Sequence, residues 1–177
     1  MKQKSYQLDY YRMTGKQSMK FYPLDFLFRH NVRWSFYYRR FQAGHRLAKI
    51  GLYLLSRKYG LEVSNTAQIG KGIYLGHPYN ITIGANVVIG DNVNLHKGCT
   101  IGNIMAGKRA GSPKIGNCVS VGINATVVGG ITIGDDVMIA PNAFVNFDVP
   151  PHSVVVGNPG EIHHKEDATR NYVLDRV

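Results

Sequence analysis

The sequence of 177 residues predicts an all-β solenoid, a parallel β-helix of six-residue repeats, with a helical cap at its N-terminus. Two observations predict the solenoid: an aliphatic anchor recurs every six positions from Val63 to Val145, and turn-forming residues stand between the anchors. The cap is predicted from a third observation, the concentration of basic and aromatic side chains in residues 1–60.

The repeat contains thirteen aliphatic anchors in three registers. A helix repeats every 3.6 residues and a strand alternates every two, so a period of six fits a short strand followed by a corner. Gly, Asn or Asp, which best tolerate positive φ, usually stands three positions after an anchor. Three sides close one coil, so the repeat predicts a little over four stacked coils. The anchors are Val63, Ile69, Leu75, Ile83, Ile89, Leu95, Ile101, Ile115, Val121, Val127, Ile133, Ile139 and Val145.

Two breaks interrupt the repeat. Two extra residues bulge out around residues 77–80, and eight extra residues leave the coil as a loop within residues 103–114. Loops on a rigid scaffold are where functional residues concentrate, so we expect the site at these two insertions.

The chain divides into residues 1–60, the repeat domain 61–160 and a C-terminal tail 161–177. The first segment has 13 Lys and Arg against 2 Asp and 14 of the 19 aromatic residues. We expect it to cap the open edge of the first coil. A second, compatible hypothesis adds a contact with a membrane surface or another polyanion. Nucleic acid is not expected, because no nucleic-acid-binding motif accompanies the charge. The tail is expected either to pack outside as a helix or to fray.

Cellular location is predicted from what the sequence lacks. Its two cysteines, Cys99 and Cys118, fall inside the repeat and are expected to be reduced. No run approaches the ~18 apolar residues of a membrane span, and the N-terminus lacks a signal-peptide core. We therefore expect a cytoplasmic protein, located at the inner face of the membrane if residues 1–60 bind there.

Histidine is the usual group that removes a hydroxyl proton near pH 7. His77 lies in the first bulge, and His96 and Lys97 are expected one coil away on the same edge. A base histidine needs an orienting carboxylate, and Glu62, where the chain enters the solenoid, is the candidate. The alternatives are solvated side chains with no catalytic role.

Several segments carry a resemblance to a known family. Val63 to Gly160 resembles the hexapeptide-repeat acyltransferases, in particular their serine acetyltransferase-like branch. This resemblance implies a left-handed β-helix, acetyl-CoA as donor, and a homotrimer with sites between subunits. No Cys/His spacing typical of a metal site is present, so we expect no metal. The resemblance also implies that His77 is the general base and that Glu62 replaces the family's aspartate. The matching segments are GIYLGH at 72–77, ITIG at 81–84, LHKGCTIG at 95–102, SPKIG at 112–116 and DVPPHSVVVGNP at 148–159.

The departures from the family concern the acceptor. Gly76 stands where the family has a serine-contacting acid, and Gly111 and Ser112 replace an Arg-His pair. The long helical N-terminal domain is reduced to about sixty residues. Since a small zwitterion requires paired charges, we expect a sugar or surface-polysaccharide hydroxyl as acceptor, as in short polysaccharide O-acetyltransferases. The alternative is serine O-acetylation.

Two other functional classes compete with the acyltransferase interpretation. They are a γ-carbonic anhydrase-like metal enzyme, which requires three converging histidines, and a non-catalytic binding solenoid.

The remaining expectations assign the rest of the acyltransferase site. The Gly102–Asn103 segment is the expected position of the oxyanion-binding N–H groups. Acceptor contacts are predicted at Gly76, His96, Lys97 and Ser112, and coenzyme contacts at Gly102, Asn103, Lys108, Arg109, Gly122, Ile123 and Pro141.

Overall fold

A computed structural model describes residues 5–17 and 22–177. Within these ranges the helices come first and the strands follow without interruption by another helix. The helices are α1 Ser5–Thr14, α2 Tyr22–Phe28, α3 His30–Gln42 and α4 Ala48–Tyr59. The strands are β1 Leu61–Val63, β2 Gln68–Ile69, β3 Tyr74–Gly76, β4 Ile81–Ile83, β5 Val88–Ile89, β6 Asn94–His96, β7 Thr100–Gly102, β8 Lys114–Ile115, β9 Ser120–Val121, β10 Thr126–Val128, β11 Thr132–Ile133, β12 Val137–Ile139, β13 Phe144–Val145, β14 Ser153–Val156 and β15 Glu161–His164.

The strands confirm the predicted β-helix. Sheet A has the order β1-β4-β7-β10-β13, sheet B has β2-β5-β8-β11, and sheet C has β3-β6-β9-β12-β14, with β15 at its end. Strands from successive coils pair in parallel with anchors in register, as Leu75 pairs with Leu95 and Leu95 with Val121. The corner residues Asn86 and Asn92 both have a φ of 57°, as predicted for their positions.

The fifth coil is more complete than the repeat predicts. Sheet C gains a fifth parallel strand, β14, that has no predicted anchor, and Val149 forms a single bridge to Ile133 in sheet B. The fifth strand of sheet A, β13, contains the predicted anchor Val145. Pro150 and Pro151 follow Val149 and have no N–H groups, so pairing there stops at one bridge. The prolines therefore shorten one side of the last coil without ending the solenoid.

Helices α1 and α3 cap the first coil, as predicted. The Tyr38 hydroxyl donates to the main-chain oxygen of Ala67 (2.9 Å), and Arg39 Nη1 donates to that of Ile69 (2.7 Å). The Asp9 carboxylate accepts from the main-chain N–H of Ile73 (3.1 Å). These are main-chain groups of the coil that has no neighbour above it, so the cap satisfies an otherwise open sheet edge.

The C-terminal tail is neither of the two expected forms. Strand β15 runs antiparallel to β14, and the strap (residues 165–177) then returns along the outer face of sheet C. The Asp136 carboxylate accepts from both the main-chain N–H and the hydroxyl of Thr169 (3.0 and 2.6 Å). The Asn94 side-chain amide donates to the main-chain oxygen of Tyr172 (2.7 Å). Polar groups on the solenoid therefore hold an irregular segment that has no periodic pattern of its own.

The interior of the solenoid is apolar and includes a thiol. Cys99 is buried, and this burial raises the pKa of its thiol to about 12, so it remains protonated and unreactive. Cys99 and Cys118 are both free. No helix in the described ranges combines the length and apolar character required to cross a bilayer.

Candidate functional site

The predicted site residues lie on two different edges of the prism. The CA edge follows the strands of sheet C, and the AB edge follows the strands of sheet A. The CA edge carries Gly76, His77, His96, Lys97, Gly122, Ile123 and Pro141. The AB edge carries Gly102, Asn103, Lys108, Arg109 and Ser112. One chain therefore presents the two groups of predicted residues on separate edges.

His77 begins the four-residue turn between β3 and β4. Its φ of 49° is in the left-handed region, and its imidazole is exposed. The neighbouring coil places His96 opposite Gly76, so the two histidines are close on the CA edge. The insertion therefore presents an exposed imidazole beside a second one, as the sequence predicts.

Gly76 has a packing role that the sequence does not reveal. A Cβ at this position would lie 2.5 Å from His96 Nδ1 and 3.1 Å from a ring carbon of Tyr74. Any side chain at position 76 would therefore displace one of these rings. Gly76 is accordingly explained by the His96 ring of the next coil, which packs against it, without reference to the acceptor.

The electrostatics of the pair favour a neutral His96. Burial lowers the pKa of His96, and the nearby His77 lowers it further. His96 is therefore neutral near pH 7, and a neutral imidazole both donates and accepts one hydrogen bond.

The helical cap braces the His77 turn through residues that the sequence interpretation missed. His30 Nε2 donates to the main-chain oxygen of Pro78 (3.0 Å), and its ring stacks on Tyr59 with centroids 4.2 Å apart. The Tyr79 ring packs edge-on against both rings. The available signal was the concentration of aromatic residues before position 60, which we interpreted as a cap and as a membrane contact but not as a brace for the His77 turn.

Glu62 is not in contact with His77. It lies in β1 on the outer face of sheet A, opposite Thr82, and lines a cavity of about 300 Å³ beneath α4. Among the described residues, neither the Glu62 nor the His77 side chain has a hydrogen-bond or ion-pair partner. The expected orienting contact is thus not formed within one chain.

The loop on the AB edge is a short hairpin. Ile104 and Gly111 exchange two main-chain hydrogen bonds of 2.9 Å. Arg109 projects from it and lies 3.5 Å from the Asp148 carboxylate, with both side chains exposed. The Ser112 hydroxyl donates to a main-chain carbonyl of the solenoid (2.7 Å). Ser112 and His77 lie on different edges, so within one chain Ser112 does not contact an acceptor bound at His77. Lys108 is exposed on the same hairpin.

A further cavity adjoins His96. It has a volume of about 270 Å³ and lies between α1, sheet C and the strap. Neither α1 nor the strap belongs to the repeat, so sequence reasoning did not identify this cavity. Within the described ranges, no third His, Cys, Asp or Glu side chain completes a metal-binding group with His77 and His96. The cavity is lined by Arg12, Tyr74, Asn94, His96, Asn171, Tyr172, Leu174 and Asp175.

Comparison with known proteins first identifies the class of repeat. Residues 112–146 match the family model described as bacterial transferase hexapeptide (six repeats). A serine acetyltransferase of Helicobacter pylori (strain ATCC 700392 / 26695) is 34% identical over 134 residues, covering 71% of this chain and 78% of that protein. The apoenzyme structure of soybean serine acetyltransferase matches with a TM-score of 0.74 and 26% identity, covering 90% of this chain and 67% of the other.

The chain therefore belongs to the serine acetyltransferase family of hexapeptide-repeat transferases. The likeness confirms the predicted left-handed β-helix. Serine acetyltransferase 4 of Arabidopsis thaliana is 38% identical over 132 residues, but the chain spans only 37% of its length. A structure of the Neisseria gonorrhoeae serine acetyltransferase in complex with serine matches with a TM-score of 0.72 and 28% identity, covering 90% of this chain and 68% of that one.

The comparisons contradict the expected sugar acceptor, since these relatives and structural neighbours are serine acetyltransferases. That expectation rested on missing charges at Gly76, Gly111 and Ser112. The packing of His96 over Gly76 explains one of these positions independently of the acceptor. The missing charge at position 76 is therefore not evidence for a neutral acceptor.

Proposed function

We propose that the chain is an acetyl-CoA-dependent O-acetyltransferase whose acceptor is the hydroxyl of serine. The observation that carries this proposal is the exposed His77 imidazole, placed beside a neutral His96 on the edge of a serine acetyltransferase-like β-helix. The need for acetyl-CoA favours a cytoplasmic location.

The reaction uses His77 as the general base. Its imidazole removes the hydroxyl proton as the serine oxygen attacks the thioester carbonyl, and this oxygen forms the new ester bond. The carbon–sulfur bond then breaks, and the protonated imidazole returns the proton to the leaving thiolate of coenzyme A. Glu62 would stabilise the imidazolium after a side-chain rearrangement, because the two groups are not in contact in one chain. The main-chain N–H groups at Gly102 and Asn103 are the proposed oxyanion donors.

The coenzyme site is proposed to lie between two subunits of a trimer. The two groups of predicted residues occupy different edges, and a three-fold axis would place the CA edge of one subunit against the AB edge of the next. Lys108 and Arg109 would then meet the coenzyme phosphates, while Lys97 would face the same groove from the other subunit. A monomeric mass in light scattering at micromolar concentration would contradict this arrangement.

We also propose that the outer face of α4 and the end of α2 bind an anionic membrane surface. Helix α4 is apolar on both sides, and basic residues flank its exposed side: Arg46, Lys49, Arg57 and Lys58. Apolar side chains with a basic border complement anionic lipid headgroups. The exposed apolar side chains are Leu24, Leu27, Phe28, Leu47, Ile50, Tyr53 and Leu54.

Vesicle sedimentation tests this surface. We expect the protein to sediment with vesicles containing phosphatidylglycerol and not with pure phosphatidylcholine vesicles. Leu54→Glu should weaken binding, whereas Met105→Glu, an exposed residue of the distant hairpin, should not. If Leu54→Glu instead lowers the oligomer mass and vesicles do not bind, this face is a protein interface and the membrane proposal is wrong.

The acyl-transfer proposal is tested with the purified chain, acetyl-CoA and L-serine. We expect coenzyme A thiol release to depend on serine and to match the amount of O-acetylserine detected by mass spectrometry. His77→Ala supplies the control for non-enzymatic acetylation. Thiol release that is unchanged by serine, with no O-acetylserine formed, would contradict the proposed function.

A further inference from the structure

The cavity of about 270 Å³ beside His96 is close to the proposed base. His96 forms part of its wall, and the His96 ring lies over Gly76, the residue immediately before His77. A molecule in this cavity would therefore contact His96, and His77 lies next to Gly76 in the adjoining coil. Half of the lining residues belong to the strap.

Arg12 provides a buried positive charge in the wall of this cavity. The residue is only 5% exposed, and it donates to the main-chain oxygens of Gly72 and Leu174 and to Asn94 Oδ1. All three acceptors are neutral, and no carboxylate of the described residues forms an ion pair with it. A guanidinium has five N–H groups, so two remain available.

A buried cation without an anionic partner is costly, and buried charges are usually paired. Burial lowers the pKa of Arg12, but an arginine remains protonated at neutral pH. The carboxylates of Asp175 and Asp9 act on Arg12 through space and raise its pKa, but neither forms an ion pair with it. A contact position for an anion at Arg12 is therefore still open. A ligand carboxylate entering the cavity would occupy it, and the planar guanidinium suits such a group.

Asp175 provides the opposite charge in the same cavity. It belongs to the strap, its side chain is exposed, and its single hydrogen bond is a long one from the Tyr11 hydroxyl (3.4 Å). Its carboxylate is therefore available to a ligand ammonium group. The cavity thus presents a cation, an anion and a neutral imidazole, which together match the three polar groups of a hydroxy amino acid.

We propose that this cavity is the acceptor site, in which Arg12 binds the α-carboxylate of serine and Asp175 binds its α-ammonium group. The hydroxyl then faces His96 and His77. This inference rests on the proposed function and identifies where the acceptor binds. It also supplies, from α1 and the strap, the paired charges that Gly76, Gly111 and Ser112 do not provide.

Asp175→Asn is the main test, because the exposed side chain contributes little to folding. A charge-assisted contact of this kind corresponds to an increase in the KM for serine on the order of 10- to 100-fold. The KM for acetyl-CoA should not change. Asp167→Asn is the matched control, since Asp167 is another exposed acid of the strap that lies outside the cavity.

A comparison of acceptors separates recognition from a structural role. 3-Hydroxypropionate has the carboxylate and hydroxyl of serine but no amino group. The wild-type protein should prefer serine over 3-hydroxypropionate in kcat/KM, and Asp175→Asn should lose most of this preference. General destabilisation would lower the values for both acceptors and leave their ratio unchanged.

The outcomes distinguish this inference from the proposed function. Calorimetric titration with serine, without acetyl-CoA, supplies a reading independent of turnover. If serine is acetylated but Asp175→Asn leaves both its KM and the acceptor preference unchanged, the acceptor site is wrong and the function stands. If serine binds, Asp175→Asn weakens binding, and no transfer occurs, the site stands and the function is wrong. If the wild-type protein neither binds nor acetylates serine, both are overturned.

Discussion

Asp9 joins two helices of the cap to each other and to the first coil of the solenoid. It is completely buried, with 0% of its surface exposed. Its carboxylate accepts hydrogen bonds from Ser35 Oγ (2.6 Å), from Arg39 Nε and Nη2 (2.8 and 3.1 Å) and from the N–H of Ile73 (3.1 Å). Asp9→Ala removes all four acceptor contacts and leaves the Arg39 cation buried without its anion.

The expected cost follows from these contacts. Removing one partner of a buried ion pair typically costs ~3–5 kcal/mol. Arg39 retains the main-chain oxygens of Ile69 and Gly70, so part of its hydrogen bonding survives. We therefore expect Asp9→Ala to lower the free energy of unfolding by about 3 kcal/mol, near the lower end of that range.

Urea denaturation at a fixed protein concentration measures this change, because unfolding of an oligomer depends on concentration. Asp167→Asn, at an exposed position where asparagine also tolerates the φ of 53°, should change the free energy by less than ~0.5 kcal/mol. In Asp9→Ala, the amide of Ile73 should also exchange its hydrogen faster with solvent. The double variant Asp9→Ala/Arg39→Ala should lose less than the sum of the two single variants.

A loss below ~1 kcal/mol for Asp9→Ala, the net value of an ordinary hydrogen bond, would refute this reasoning. Unchanged exchange at Ile73 would show that the cap does not hold the first coil through this carboxylate. Additive effects of the two single variants would show that the pair is not coupled.

Three further predictions concern the base, the coenzyme contact and the strap. His77→Ala should lower kcat by ~10²–10⁴ with little change in the KM for acetyl-CoA, and Glu62→Gln should lower kcat by a smaller factor. Equal kcat values for His77→Ala and wild type would contradict the assignment of His77 as the base. Arg109→Ala should raise the KM for acetyl-CoA more at low salt than at high salt, because screening weakens an exposed phosphate contact; a salt-independent change would exclude this contact. Burial alone would raise the pKa of Asp136, but the hydrogen bonds that its carboxylate accepts, led by those from Thr169, lower it below its usual value. The hydrogen bond between His152 and Asp136 raises the pKa of His152. The Asp136 contribution is lost as pH falls through its lowered pKa, and the His152 contribution is lost as pH rises through its raised pKa. Limited proteolysis should therefore show the strap most protected between these two values, and protection that is constant with pH would contradict this.

The repeat made the solenoid predictable because a period of six is diagnostic by itself. The anchors identify the inward-facing positions, and corner residues such as Asn86 and Asn92 adopt the positive φ that their type predicts. The last coil was underestimated because Pro150 and Pro151 signal a strand end. They end pairing in sheet B only, while the chain continues into β14 of sheet C.

The candidate site was only partly predictable, because its contacts cross between coils and between segments. The sequence placed His77 and His96 close together, because the six-residue repeat assigns each residue to one coil and one edge of the prism. It did not give side-chain direction, and Glu62 faces outward on sheet A without reaching His77. The meaning of Gly76 depends on a ring one coil below, which no local pattern shows.

The strap shows why the acceptor was the hardest feature to derive. Its sequence has no periodicity, and the residues that hold it, Asn94 and Asp136, look like ordinary outward and corner positions of the repeat. Only the structure shows that Asn94 is almost fully buried on the outer face of a sheet, where an asparagine needs a partner. The proposed acceptor contacts, Arg12 and Asp175, both lie outside the hexapeptide repeat. On this proposal the repeat supplies the base for acyl transfer, and the two non-repetitive ends of the chain determine which hydroxyl compound receives the acyl group.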